Sequence, residues 1–371
     1  MKVLTVGGAT IDTIAIIADD RIERMSMLNA DSSFLLLEEG RKTEAREIST
    51  HVGGGAVNAA VAMARLGLDV ATLVKLGKDQ RAETVLARLL QEGVSTRWAL
   101  RDGRAPTGAS VLVSSHDRNA AIFTFRGANT LLEEADLRAE AFAADVVYVS
   151  SLSNESADAF PAVIRMAKAN GALVAANPRV RQLSSRGPVF QDALAQIDIL
   201  AVNRTEAETL VPGLVARFGE GGRTLPLEPG EKPPRLLTRG LAGGGHEMSL
   251  AAFFDALRQM GPRFTLVTDG RHGAYLGTRD AIHFCPVRET QVAGTAGAGD
   301  AFSAAFTAHI ALGSKPEEAL RAGAINAASV VGHVDTQTGL LSREAIAKAL
   351  AATGEELPVR SWPLRAVAPQ V

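Results

Sequence analysis

Short apolar runs alternate with helical segments along most of this chain, and several of the helical segments close on a glycine. Val3–Val6 runs into Gly7-Gly8; residues 56–66 carry helical spacing and stop at Gly67. Val70–Leu76 is strand-like, and Ala82–Glu92 is helical with Gly93 after it. Asp145–Ser150, Leu173–Ala176, Ile197–Val202 and Phe264–Thr268 are further short apolar runs, with a helical stretch Ser156–Asn170 closed by Gly171 among them. A strand-then-helix rhythm of this kind predicts a mostly parallel sheet covered by helices on both faces. The chain's 371 residues fit one large α/β sheet with a small appendage, and a 46% hydrophobic share is enough for its core. Ligands of such sheets sit beyond the carboxyl ends of the strands. Functional residues are therefore expected just after the apolar runs.

Two segments break the rhythm. Residues 13–50 carry no clear helical stripe, and 105–126 alternate apolar and polar residues. They read either as a small separate sheet or as edge hairpins. Residues 213–245, rich in Gly, Pro and charge, read as a flexible surface excursion, and 355–371 as a C-terminal tail lying on the surface.

Lys plus Arg number 39 against 41 Asp plus Glu, a net charge of −2, so no nucleic-acid partner is expected. The single cysteine, Cys285, can form no internal disulfide and belongs to no zinc cluster. Asp12 interrupts the first apolar run too early for a signal peptide, and no run of 18 apolar residues exists. A cytoplasmic protein with no membrane partner is the expectation.

Five segments carry candidate chemistry. In Gly294-Thr295-Ala296-Gly297-Ala298-Gly299-Asp300 a Gly-rich turn opens a helix; its backbone N–H groups and the helix dipole suit an anion. Asp300, in the first turn, is placed to take a proton from an attacking hydroxyl; the alternative is an ordinary N-cap. Gly53-Gly54-Gly55 precedes a second helix whose first turn holds Asn58, suited to a hydroxyl or simply a tight turn. Asn203 and Glu206 open another helix and could organise waters around Mg²⁺, or merely cap it. Thr268, Gly270 and Gly273 follow a strand, as a nucleotide surface or a hairpin turn. Asp12, near the end of the first strand, could accept from vicinal hydroxyls or cap a turn.

The order of these segments resembles that of the ribokinase-like, or PfkB, carbohydrate kinases over about residues 1–340, apart from the excursion. Gly53–Asn58 is similar to the family's first signature and Gly294–Asp300 to its second; Pro106-Thr107-Gly108-Ala109 and Gly127-Ala128-Asn129 also resemble family stretches. The resemblance implies a ribokinase-like α/β core (1–12, 51–104 and 127–350) under a β lid (13–50 and 105–126). It implies ATP, Mg²⁺ and transfer to a primary hydroxyl. By position it makes Asp300 the general base and the Gly297-Ala298-Gly299 turn the anion hole. Asp12, Gly54, Gly55 and Asn58 fall at the sugar; Asn203, Glu206, Thr268, Gly270, Gly273, Thr295 and Asn326 fall at the nucleotide, with Glu206 acting on Mg²⁺ through water. Gly294 stands where relatives commonly have an aspartate near a monovalent cation, which puts that cation in doubt. Asn177-Pro178-Arg179 departs from relatives that begin this stretch with Asp; Arg179 or Arg181 could meet an acidic or phosphorylated acceptor. A homodimer through the lid is also implied. A nucleoside kinase on the same fold, with Phe34, Leu36 or Phe123 as platform for the base, and a non-catalytic sugar sensor are the alternatives. A Rossmann dehydrogenase lacks its GxGxxG spacing here.

Overall fold

The computed structural model describes residues 1–17, 23–26, 33–36, 40, 42–114, 120–221, 225, 232–352 and 357–364, of which 23–26, 33–36, 114 and 120 are described as backbone alone. Its centre is a ten-stranded sheet. Seven parallel strands run in the order Leu100–Asp102, Asp69–Gly77, Lys2–Gly7, Val146–Ser150, Leu173–Asn177, Ile199–Asn203 and Phe264–Thr268. Ala274–Gly277, Ala281–Cys285 and Arg360–Pro363 extend it antiparallel. Successive residues of each buried strand feed two different cores. Leu4, Val6, Val147 and Val149 pack on one side of the sheet, and Val3, Val146 and Tyr148 on the other. Burial on both faces is why these strands read as continuous apolar runs rather than alternating ones.

The strand order reverses beside Lys2–Gly7. The chain first adds Asp69–Gly77 on one side of it and later Val146–Ser150 on the other. A crevice therefore opens beyond Gly7 and Ser150, the place where such sheets bind ligands.

A second sheet of four strands, in the order Ala45–Gly53, Thr10–Ile17, Gly108–Ser114, Ala120–Phe125, stands over that end. Its outer pairs are antiparallel and its central pair is parallel. Strand Thr10–Ile17 takes up Asp12, which thus belongs to the small sheet and not to the end of the first strand.

The 213–245 stretch is not one loop. The helix Arg204–Phe218 continues through Pro212, and Leu241–Gly243 pairs with His246–Met248. Pro212 has no N–H to return to the Glu208 carbonyl. The hairpin packs on that interruption: a Cβ on Gly243 would fall 2.0 Å from Glu208 O, and one on Gly244 2.6 Å from Pro212 Cγ. Residues 222–224 and 226–231 lie outside the described residues.

The tail differs from expectation as well. Arg360–Pro363 is a strand of the main sheet, and Trp362 is buried against the core. The apolar residue in a short, Pro-flanked strand found an open sheet edge to cover. Among the described residues no helix is long and apolar enough to cross a membrane.

Candidate active site

Gly297 is the N-cap of the helix Ala298–Ala311 and has φ +78°, a left-handed conformation natural to glycine. A Cβ there would also lie 2.7 Å from Thr336 Cβ. The turn it permits leaves the helix without a side-chain cap, so the N–H groups of Ala298, Gly299 and Asp300 have no partner within the helix. Gly299 faces open space: nothing lies within 4 Å of the Cβ it lacks. Thr295 is exposed ahead of the turn.

The Asp300 carboxylate is buried at 4% exposure, and both oxygens are engaged. Oδ2 accepts from Asn58 Nδ2 at 3.0 Å and Oδ1 from Arg179 Nη2 at 2.7 Å. Asn58 is fixed in turn, because its Oδ1 accepts from Thr336 Oγ1 at 2.9 Å and Gln337 Nε2 at 3.2 Å. Its amide therefore orients the acid, a role the sequence reading did not give it. The loop carrying Thr336 and Gln337 was missed altogether. Its signal was present in the polar run Asp335-Thr336-Gln337-Thr338 after a helix, but that composition suits any surface turn.

The Gly53–Gly55 turn is built for close approach. Gly54 has φ +98°, and a Cβ would fall 2.5 Å from Gly8 O. A Cβ on Gly53 would meet Asp12 Oδ2, and one on Gly55 would stand 3.7 Å from Asp300 Oδ1. These glycines let the Thr10–Ile17 strand and the helix Gly55–Arg65 converge on the acid. Asp12 accepts from Ser110 Oγ at 2.5 Å, and burial holds its carboxyl above the usual aspartate range against that bond. It remains partly exposed.

Two family-like stretches turn out to hinge the small sheet to the core. Asn129 brackets Ala9, accepting from its N–H at 2.9 Å and donating to its carbonyl at 2.8 Å. Thr107 donates from N and Oγ1 to Asp79, each at 2.7 Å.

On the other side of the open helix end, Asn203 and Glu206 form a reciprocal cap. Asn203 N donates to Glu206 Oε2 at 2.8 Å, and Glu206 N to Asn203 Oδ1 at 2.9 Å. Burial pushes the Glu206 carboxyl above its ordinary range, opposed by the bond from Asn203 and by the Arg179 charge. A cavity of about 310 Å³ lies beside it, lined by Asn203, Thr268, Gly270 and the basic side chains of Arg204, Arg235 and Arg271. A cavity of equal volume lies among Met1, Asp145 and Arg263, at the amino ends of the strands and away from this chemistry. Gly273, with φ +100°, serves the hairpin itself, since a Cβ would strike Cys285 O at 2.6 Å.

Asn326 does not belong to this surface. It is fully buried; its Nδ2 donates to Ala301 O at 3.0 Å and its Oδ1 accepts from Leu341 N at 3.0 Å, tying two helices and a loop together. Gly294 backs onto the His333 and Val334 carbonyls, which a Cβ would approach to 3.1 and 3.2 Å.

The chain resembles known proteins over most of its length. The pfkB family carbohydrate kinase model matches residues 23–214 and 238–343. A ribokinase of Staphylococcus aureus is 23% identical over 78% of this chain and 86% of its own length. A deoxyribokinase of Salmonella typhi is 24% identical over 89% of this chain and 96% of its own. The Arabidopsis thaliana ribokinase solved with ribose and ATP superposes with a TM-score of 0.67 at 22% identity, covering 94% of this chain and 98% of that one. With the family match spanning most of its length, the chain belongs to the pfkB family of carbohydrate kinases.

Proposed function

We propose that the protein transfers the terminal phosphoryl group of ATP to a primary hydroxyl of a sugar, with Asp300 as general base. The observation that carries this reading is the pairing of a buried carboxylate with three unpaired backbone donors in one helical turn at the sheet's switch point. The sugar hydroxyl loses its proton to Asp300 as its oxygen attacks the γ-phosphorus; the bond to the bridging oxygen breaks and ADP leaves. The donors of Ala298, Gly299 and Asp300 face the charge that spreads over the phosphoryl oxygens. Asp12 reads sugar hydroxyls from the lid, while Asn58 aims the base. The basic cavity beside Asn203 takes the nucleotide phosphates.

Among the described residues no group of three or more His, Cys, Asp or Glu could hold a metal. Magnesium would therefore arrive with the phosphates, with Glu206 as a carboxylate reaching it through water. Bound there, it would neutralise phosphate charge. Of the three platform residues of the nucleoside alternative, Phe123 alone has a described side chain. Strand register puts Phe123 opposite Val111, on the lid face turned away from Asp12 and Ser110, and the Phe34 and Leu36 side chains lie outside the described residues. A homodimer through that outer lid face completes the reading.

ADP release measured over a panel of sugars tests the assignment. Asp300→Asn should lower kcat by about 10²- to 10⁴-fold, the range for a lost general base. An acceptor phosphorylated equally fast by the variant would overturn the role of Asp300.

A further inference from the structure

Two buried hydroxyls lie behind the open helix end. Tyr148, on the strand Val146–Ser150, is 1% exposed, and Ser303, in the helix Ala298–Ala311, is 2% exposed. Their oxygens stand 2.6 Å apart. Ser303 Oγ is also 2.7 Å from Gly299 O, one turn back along the helix, and 3.3 Å from Asp300 O. A serine hydroxyl has one hydrogen, and a carbonyl can only accept. The Ser303 hydrogen therefore goes to the Gly299 carbonyl, and Tyr148 O–H donates to Ser303 Oγ. The reverse order would set two lone pairs against one another at 2.7 Å and leave the buried phenol hydrogen without an acceptor. Burial and the Asp300 charge raise the phenol's pKa, which keeps Tyr148 a donor.

A serine inside a helix often returns its hydroxyl to the carbonyl four residues back. Two features set this one apart. Tyr148 reaches it across 155 residues of sequence, through a core shared with Ala301 and Ala305. Phenylalanine would fill that space with no hydroxyl to satisfy. Thr307, one turn further along the same helix, is fully buried and its hydroxyl has no partner among the described residues. Burial in this helix does not by itself supply a hydroxyl with a partner.

The carbonyl that Ser303 bonds belongs to the peptide unit Gly299–Asp300, and the N–H of that unit is one of the three open donors. The unit is planar, so holding its oxygen fixes the direction of its N–H. A bond accepted at the oxygen also polarises the group, and each bond in a chain strengthens the next. Resting on the kinase reading above, we propose that Tyr148 and Ser303 are positioning residues that brace and polarise this peptide, so that the Asp300 N–H meets the transferred phosphoryl group as an aimed and strengthened donor. Neither side chain touches substrate. Their effect falls where charge develops on the phosphoryl oxygens, and so on the transfer step more than on binding.

The dipeptide Gly-Asp occurs once in the sequence, at 299–300. The full chain labelled with ¹³C-carbonyl glycine and ¹⁵N-aspartate therefore gives one carbonyl-to-amide NMR signal, which reports this peptide alone. Its amide proton and carbonyl carbon should move upfield in Tyr148→Phe, which keeps the buried ring, and further in Ser303→Ala. The single-turnover transfer rate should fall about 2- to 10-fold, more in Ser303→Ala, while the dissociation constants for ATP and acceptor stay within about twofold. Affinity for ADP with aluminium fluoride, a mimic of the phosphoryl group in transit, should fall by the same factor as the rate. An NMR signal unmoved in both variants, an unchanged transfer rate, or dissociation constants that rise as the rate falls would overturn the proposal. A wild type that phosphorylates no acceptor would refute the kinase reading instead. The NMR signal then still decides whether the brace acts on this peptide, and an unmoved signal refutes it.

Discussion

The two glycines that flank Ala298 are alike in sequence and opposite in structure. Gly297 is required by the fold: its φ is +78° and a Cβ would overlap Thr336. Gly297→Ala should cost at least about 1–3 kcal/mol from the left-handed backbone alone. Gly299 lies in the first helical turn with ordinary φ and open space before it. Gly299→Ala should therefore raise stability by up to about 1 kcal/mol through helix propensity. The same methyl would stand among the open donors proposed to receive the phosphoryl group, so on that reading kcat should fall on the order of 100-fold. Thermal unfolding alongside ADP release separates the two; a Gly299→Ala enzyme of normal kcat would remove the anion role from this turn. Asp300 could be found from sequence because a Gly-rich turn and an acid in the next turn are local. The Arg179 contact could not, because 121 residues separate the partners. Only the sheet order brings the end of one strand beside the start of that helix.

At the scale of elements, the parallel strands were legible because burial on both faces makes each one a short apolar run between turn signals. The lid was legible as a change of period but not as a topology. Its central strands, Thr10–Ile17 and Gly108–Ser114, are neighbours paired across nearly a hundred residues, and no local pattern encodes such a pairing. Pro212 and the Pro-flanked Trp362 misled for a related reason: each breaks a local rule that packing restores. What fixes the lid's angle is its joint. Asn129 satisfies both backbone groups of Ala9, which is fully buried. Asn129→Ala would leave an N–H and a carbonyl unpaired, at about 1–3 kcal/mol each. Because Asp12 lies three residues further along that strand, a loosened joint should raise KM for the acceptor more than KM for ATP. Equal changes in the two constants would show that the joint only holds the fold.

At the scale of the whole molecule, the lid presents one face to the crevice and the other to solvent. Register assigns Asp12, Ser110 and His51 to the first and Ile48, Val111, Phe123 and Phe125 to the second. Those four side chains are 67%, 44%, 60% and 51% exposed. Apolar residues scattered singly over a surface need no explanation, but four large ones on one face of a sheet mark a surface that seeks cover. A rotation axis through this face would let two identical lids cover one another, the arrangement closed dimers use. Since the opposite face of the same sheet carries Asp12, the residue proposed to read the sugar, pairing would also stiffen the site. Light scattering on the full chain should then give the mass of two chains, and Phe123→Asp with Phe125→Asp should give the mass of one. A charge on the outer face touches no residue of the crevice. Any accompanying rise in acceptor KM would therefore report the stiffening, and a wild-type mass of one chain at every concentration tested would refute the pairing.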